Sequence, residues 1–174
     1  TSGGFSGALD DGDQFARAMA SLGDLDGDGV CDLAAVAGYD DDGGPDRGAV
    51  WILFLNANSS VKSFQKISDT EGGFGGALAD GDEFGRSLAA IGDLDDDGVV
   101  DLAVGAPYDG DGGKKRGALW VLFLRPDGAV KSQAKISSTN GGLVGPLDNS
   151  DYFAYNCAAL GDWDGDGVED LVAS

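Results

Sequence analysis

Gly23-Asp24-Leu25-Asp26-Gly27-Asp28-Gly29-Val30-Cys31-Asp32-Leu33-Ala34 opens a pattern that the chain uses three times. Asp93-Leu94-Asp95-Asp96-Asp97-Gly98-Val99-Val100-Asp101 follows 69 residues later, and Asp162-Trp163-Asp164-Gly165-Asp166-Gly167-Val168-Glu169-Asp170 follows 69 after that. The same step carries Phe15 to Phe84 and Phe153, and Gly3-Gly4 to Gly72-Gly73 and Gly141-Gly142. It also carries Arg47-Gly48-Ala49 to Arg116-Gly117-Ala118. Aligned without a gap, residues 1–69 and 70–138 are identical at 42 of 69 positions. Residues 139–174 begin a third copy and run for about half its length. No linker or shift in composition separates the copies. A unit of this size must stack on its neighbours to close a core. The expected organisation is therefore one domain of repeats 1–69 and 70–138 with a partial repeat 139–174.

Working outward from the acidic stretch, each period reads as four short strands. The first is Ala16–Leu22 and the second is Asp32–Ala37, directly after the loop. The third is the apolar run Ala49–Leu55, whose continuity marks a strand buried on both faces. The fourth, Val61–Ile67, is more polar and carries Lys62 and Lys66; its counterpart Val130–Ile136 carries Lys131 and Lys135. Lysines on an outer strand are expected to blunt an exposed sheet edge. A tight hairpin, Asn56–Ser60 or Arg125–Ala129, joins the last two strands, and Pro126-Asp127-Gly128 is a strong turn signal. No ten-residue stretch sustains helical periodicity. A repeated four-stranded antiparallel unit with one buried strand and one polar edge predicts an all-β fold of β-propeller blades. The chain would then hold two full blades and a partial third.

The acidic loop itself has carboxylates at positions one, three, five and nine, with Gly at six. These are Asp24, Asp26, Asp28 and Asp32; Asp93, Asp95, Asp97 and Asp101; and Asp162, Asp164, Asp166 and Asp170. The position-seven carbonyl would come from Val30, Val99 or Val168. Four carboxylates in nine residues repel one another unless a cation lies among them. Alternate spacing lets a curled loop aim them at one point, and the Gly permits the turn. Hard oxygen ligands in this number suit Ca²⁺, one ion per loop; Mg²⁺ demands tighter octahedral geometry. The loop is no EF-hand, because position twelve is Ala35, Val104 or Ala173 rather than Glu, and its flanks read as strands.

Phe84-Gly85, then Gly92-Asp93-Leu94-Asp95-Asp96-Asp97-Gly98, then Asp101-Leu102-Ala103-Val104-Gly105-Ala106-Pro107 resembles an FG-GAP repeat, the blade unit of the integrin α-subunit β-propeller. The resemblance covers essentially the whole chain. It implies a toroidal propeller, usually of seven blades, with Ca²⁺ stabilising the hairpin between a blade's first two strands. Seven periods would need 7 × 69, or 483, residues, so the chain is expected to be part of a larger ring completed by further sequence or by other chains. The departures are Phe15-Ala16 and Phe153-Ala154 for Phe-Gly, and Val36-Ala37-Gly38 for Gly-Ala-Pro.

Composition narrows the functions. The 174 residues carry 11 Lys+Arg against 31 Asp+Glu, a net charge of −20, and no His. That excludes a His-based acid–base pair, a Ser-His-Asp triad and His-liganded zinc. It also argues against nucleic acid or an anionic membrane surface as partner. Three Ca²⁺ would bring the net charge from −20 to −14. No apolar run approaches the ~18 residues of a membrane helix. Starting at Thr1 without a leader, the chain reads as a mature or excised segment.

Tyr39-Asp40-Asp41-Asp42-Gly43-Gly44 and Tyr108-Asp109-Gly110-Asp111-Gly112-Gly113 form a second acidic stretch, expected to be a flexible polar loop on the opposite face, with weak ion binding or a share in a ligand surface as alternatives. Asp13, Asp82 and Asp151 are expected to cap turns, and Arg47 and Arg116 to pair with one of these carboxylates. Trp51 and Trp120 read as core. Cys31 and Cys157 should lie too far apart to bridge. Asn58-Ser59-Ser60 fits the N-glycosylation pattern on a hairpin tip. The expected function is a calcium-binding propeller segment of an extracellular, secreted or cell-surface glycoprotein, serving adhesion, assembly or scaffolding toward a protein or glycan ligand. A carbohydrate-binding propeller, with Tyr39 and Tyr108 as platforms, is the alternative. A catalytic or non-catalytic domain of a secreted enzyme is a third reading, but no Ser, Cys or carboxylate breaks the repeat with a base beside it, so catalysis is not expected.

Overall fold

The computed structural model describes residues 3–174; residues 1 and 2, the start of the first period, lie outside it. Two four-stranded antiparallel sheets and one two-stranded sheet follow one another along the chain, with no helix among the described residues. The first sheet runs β1 (Met19–Gly23), β2 (Asp32–Ala37), β3 (Ala49–Leu55) and β4 (Val61–Ile67). The second runs β5 (Ser87–Ala90), β6 (Leu102–Ala106), β7 (Ala118–Leu124) and β8 (Val130–Ser137). The third pairs β9 (Cys157–Gly161) with β10 (Asp170–Ala173). Within each sheet the spatial order is the chain order, as in propeller blades.

The third strands are buried almost throughout, since each feeds two cores. Along β3, Val50, Ile52 and Phe54 face the second sheet and join a core with Phe74, Phe84, Leu102, Val104, Trp120 and Leu122. Trp51 and Leu53, on the other face, pack with Ala35, Phe5 and Phe15. In β7, Trp120 and Leu122 face the first sheet, while Leu119 and Val121 meet Phe153 and Ala154, just ahead of β9, and Leu171 of the third sheet. Side-chain alternation along one strand thus stacks successive sheets face to face. The first strands lie beside one another, β1 next to β5 and β5 next to β9.

A backbone ribbon ties each sheet to the next. The amides of Gly81, Glu83 and Phe84 donate to the carbonyls of Pro45, Asp46 and Arg47 at 2.9, 3.1 and 2.9 Å. Ser150, Tyr152 and Phe153 repeat this on Lys114, Lys115 and Arg116 at 3.0, 3.2 and 2.9 Å. Gly48 is the residue over which this ribbon crosses. A Cβ there would stand 2.0 Å from the Phe84 carbonyl oxygen, so the Arg-Gly-Ala motif needs its glycine for close approach.

The first strand is shorter than the expected Ala16–Leu22. Ala16 has φ +63° and Ala154 φ +64°, the left-handed region that Gly85 occupies at φ +94°. A residue turned this way leaves the extended run, and β1 begins only at Met19. Where Phe-Ala replaces Phe-Gly, the fold retains the turn at a steric cost for the alanine.

Arg47 and Arg116 correct a second expectation. Arg47 binds Asp69 and Asp80 at 2.7 and 2.9 Å, neither of them in the acidic stretches. Arg116 bonds the neutral Ser138 and Asn149 instead, at 2.9 and 3.5 Å. The expected turn caps are present: the carboxylates of Asp13, Asp82 and Asp151 accept the amides of Asp10, Ala79 and Asp148. Trp51 and Trp120 are buried, and Cys31 and Cys157 are free thiols.

Candidate metal centres

Each acidic loop bridges the first two strands of its sheet, and its curl brings three carboxylates together. One oxygen each from Asp24, Asp26 and Asp32 lies within 4.8 Å of the others, and Asp93, Asp95 and Asp101, and Asp162, Asp164 and Asp170, do the same. Position one is fixed by the loop's own backbone. Asp24 accepts the amides of Asp28 and Gly29, both at 2.8 Å; Asp93 accepts Asp97 and Gly98 at 3.0 and 2.7 Å; Asp162 accepts Gly165 and Gly167 at 2.7 and 3.1 Å. Gly29, Gly98 and Gly167 take φ of +85°, +87° and +90°, which completes the curl.

Position nine is fixed from further away. Asp32, fully buried, accepts the amides of Leu25 at 3.0 Å and of Leu55, at the end of β3, at 2.9 Å. Asp101, equally buried, accepts Leu94 at 2.9 Å and Leu124 at 3.1 Å. Burial pushes the Asp101 carboxyl up, with the two amides pulling the other way. Asp170 has only its own loop to hold, the amides of Trp163 and Asp164 at 2.8 and 3.3 Å. These strand-three anchors were not read from the sequence, because the donors lie 23 residues from the acceptors.

Position five, expected to aim at the same point as the other carboxylates, stands apart from the triads. Asp28, Asp97 and Asp166 accept the amides of Val30, Val99 and Val168 at 2.8, 2.9 and 2.8 Å. In the first two loops the second oxygen meets a lysine from the fourth strand. The Lys62 ammonium contacts Asp26 at 2.6 Å and also Asp28; Lys131 contacts Asp95 at 2.6 Å and also Asp97. Lys62 holds the Asp28 carboxyl below its ordinary value, helped by the Val30 amide, and Lys131 does the same to Asp97. These lysines are therefore ion-paired to the loops, beyond the edge-blunting role expected of them.

The second acidic stretch is equally ordered, contrary to a loose polar loop. Lys66 pairs with Asp40 and Asp42 at 2.8 and 2.7 Å, and Lys135 with Asp109 and Asp111 at 2.7 and 2.8 Å. Ser68 and Ser137 donate to Asp42 and Asp111. Burial pulls Lys66 and Lys135 down, but their two carboxylates outweigh it and hold both above their ordinary values. The fourth strand thus ties both acidic loops of its sheet through lysines four residues apart. Tyr108 stacks edge-on with Tyr152 at 5.3 Å, and the Lys115 ammonium lies 4.6 Å over its ring.

The donor set suits a hard divalent cation. Three converging anionic oxygens stand on a loop whose amides are spent on shaping it, with two of the three closing carboxylates fully buried. Asp24, Asp26 and Asp32 and their counterparts would hold the ion, which would supply the positive charge that lets these carboxylates approach. No helix among the described residues is long and apolar enough to cross a membrane.

Comparison with known proteins agrees with this architecture. The FG-GAP repeat family model matches residues 84–122, which span the second loop and its flanking strands. Integrin alpha-PS2 of Drosophila melanogaster is 33% identical over 168 residues, covering 92% of this chain and 11% of that protein. Integrin alpha-IIb of Homo sapiens is 38% identical over 124 residues, covering 71% and 10%. Integrin alpha-PS5 of Drosophila melanogaster is 31% identical over 150 residues, covering 86% and 14%. The chain spans about a tenth of the length of the curated relatives it matches. With its repeated blades and their acidic hairpins, the chain belongs to the FG-GAP repeat family of integrin α-like β-propellers.

Proposed function

We infer that the chain is a calcium-binding, non-catalytic propeller segment of a protein outside the cell or at its surface, acting in adhesion, assembly or scaffolding. The observation that carries this reading is the triad of converging carboxylates at the same place in three successive blades. The proposed ligands are positions one, three, five, seven and nine of each loop: Asp24, Asp26, Asp28, Val30 and Asp32; Asp93, Asp95, Asp97, Val99 and Asp101; and Asp162, Asp164, Asp166, Val168 and Asp170. Ca²⁺ is favoured over Mg²⁺ because flexible all-oxygen loops suit its larger, looser shell, and extracellular modules bind it at roughly 10⁻⁴–10⁻³ M. The integrin α relatives support the adhesion setting.

The repeats 1–69, 70–138 and 139–174 are read as successive blades of a larger ring. Two outer faces support this. The Trp51–Leu53 face of the first sheet carries Phe64 at 36% exposure, and the third sheet shows Leu160 and Val172 at 47% each. Neighbouring blades, from further sequence or from other chains, would cover them. Asn58 is read as a glycan acceptor: its hairpin is exposed, and its side-chain oxygen accepts the Ser60 hydroxyl at 2.7 Å. The glycan-binding alternative is weaker, since Tyr108 already gives one ring face to Lys115.

Thermal unfolding in chelator against millimolar Ca²⁺ tests the reading. A site tenfold saturated above its Kd adds about 1.4 kcal/mol. Three such sites predict a Tm roughly 10 °C higher with Ca²⁺ for a domain of this size. A melting curve indifferent to both additions contradicts it.

A further inference from the structure

We propose that Lys62 and Lys131 are built-in competitors for the cation, so that the first and second loops take up a divalent ion only by releasing a lysine of the fourth strand. The proposal rests on the cation reading above and concerns what the ion must displace in the first two loops. In the first loop the Lys62 ammonium touches the Oδ2 atoms of both Asp26 and Asp28, at positions three and five. In the second loop Lys131 touches the Oδ2 atoms of Asp95 and Asp97. The remaining Oδ1 atoms of Asp28 and Asp97 accept the Val30 and Val99 amides. Both oxygens of the fifth-position carboxylate are thus engaged, and the third-position carboxylate is shared between the triad and the ammonium.

An ammonium and a divalent ion on the same pair of carboxylates repel each other, and Coulomb repulsion at such range is strong near a protein surface. The ion's arrival must therefore push the lysine away. The lysines sit 34 residues beyond the position-five aspartates. The same exchange consequently frees the loop from the outer strand of its blade. The first two loops therefore bind the ion more weakly than their carboxylates alone would allow, because each must first break an internal ion pair.

Calorimetric Ca²⁺ titration of the whole chain tests this, comparing the wild type with the Lys62→Met, Lys131→Met double variant. In the variant the sites of the first two loops should tighten at least tenfold over the wild type. Amine acylation read by mass spectrometry follows the same exchange in the unaltered protein. Lys62 and Lys131 should react slowly in chelator and faster in Ca²⁺, while Lys66 and Lys135 stay constant. Calcium binding with unchanged or weakened affinity in the variant, or with unchanged labelling of Lys62 and Lys131, overturns the competition while leaving the cation sites standing. No heat of binding in either protein removes the cation reading itself, and the competition with it.

Discussion

The first two acidic loops and the third present the same carboxylates and the same triad, yet they are held differently. In the first two, the closing aspartate reaches a third-strand amide and a fourth-strand lysine pairs with positions three and five. In the third, whose sheet here holds only β9 and β10, the closing aspartate bonds its own loop alone, and the residue after position one, Trp163, is 80% exposed where Leu25 is buried. The spacing of the motif is enough to converge three carboxylates. What it does not supply is the frame around them, which comes from strands 23 to 36 residues away.

Removing the closing carboxylate should expose that difference most. Asp101→Ala leaves the Leu94 and Leu124 amides without an acceptor, one of them fully buried. At roughly 1–3 kcal/mol per unsatisfied group, it should cost on the order of 2–4 kcal/mol in urea unfolding. Asp170→Ala, whose partners are exposed, should cost less than about 1 kcal/mol. Running both in chelator separates the hydrogen bonds from any bound cation. Equal losses would show that the strand-three anchor contributes nothing.

A second contrast concerns the aspartates that cap the turn ahead of the Phe. Asp82 is 4% exposed, and burial pushes its carboxyl up to about 6, with the Ala79 amide opposing and Asp109 adding to the rise. Its counterpart Asp151 is exposed. A carboxyl whose folded value lies above its unfolded one binds its proton more tightly when folded. Its contribution to stability is therefore present at low pH and is lost as pH rises from about 4 to about 6. Asp82→Asn keeps the oxygen that accepts the Ala79 amide and removes the charge. It should stabilise the protein by about 1–2 kcal/mol at pH 7.5 and have no effect near pH 4, as measured by chemical denaturation. A pH-independent effect at Asp82 would contradict the burial argument.

Much of this was legible in the sequence because it is local. The second, third and fourth strands of the first period fall at Asp32–Ala37, Ala49–Leu55 and Val61–Ile67, where apolar runs and turn residues place them. The triads were legible because alternate spacing within nine residues dictates the curl. Less legible was whatever depended on another strand. Ala16 looked like an ordinary strand opener, yet it takes positive φ while its amide bonds the Val36 carbonyl across the sheet. Lys62 looked like edge protection, because nothing near it in sequence shows the loop carboxylates it reaches. The signal that could have found it is its exact recurrence at Lys131 while the residues of the preceding hairpin change. Arg47 was assigned the wrong carboxylates for the same reason, since Asp69 and Asp80 belong to the junction with the next blade.

The most direct measurement is an anomalous difference map from crystals grown in Ca²⁺. One peak per loop is expected, ringed by Asp24, Asp26 and Asp32, by Asp93, Asp95 and Asp101, and by Asp162, Asp164 and Asp170, with Lys62 and Lys131 swung away. Loops without a peak at saturating calcium, still bridged by their lysines, would contradict it.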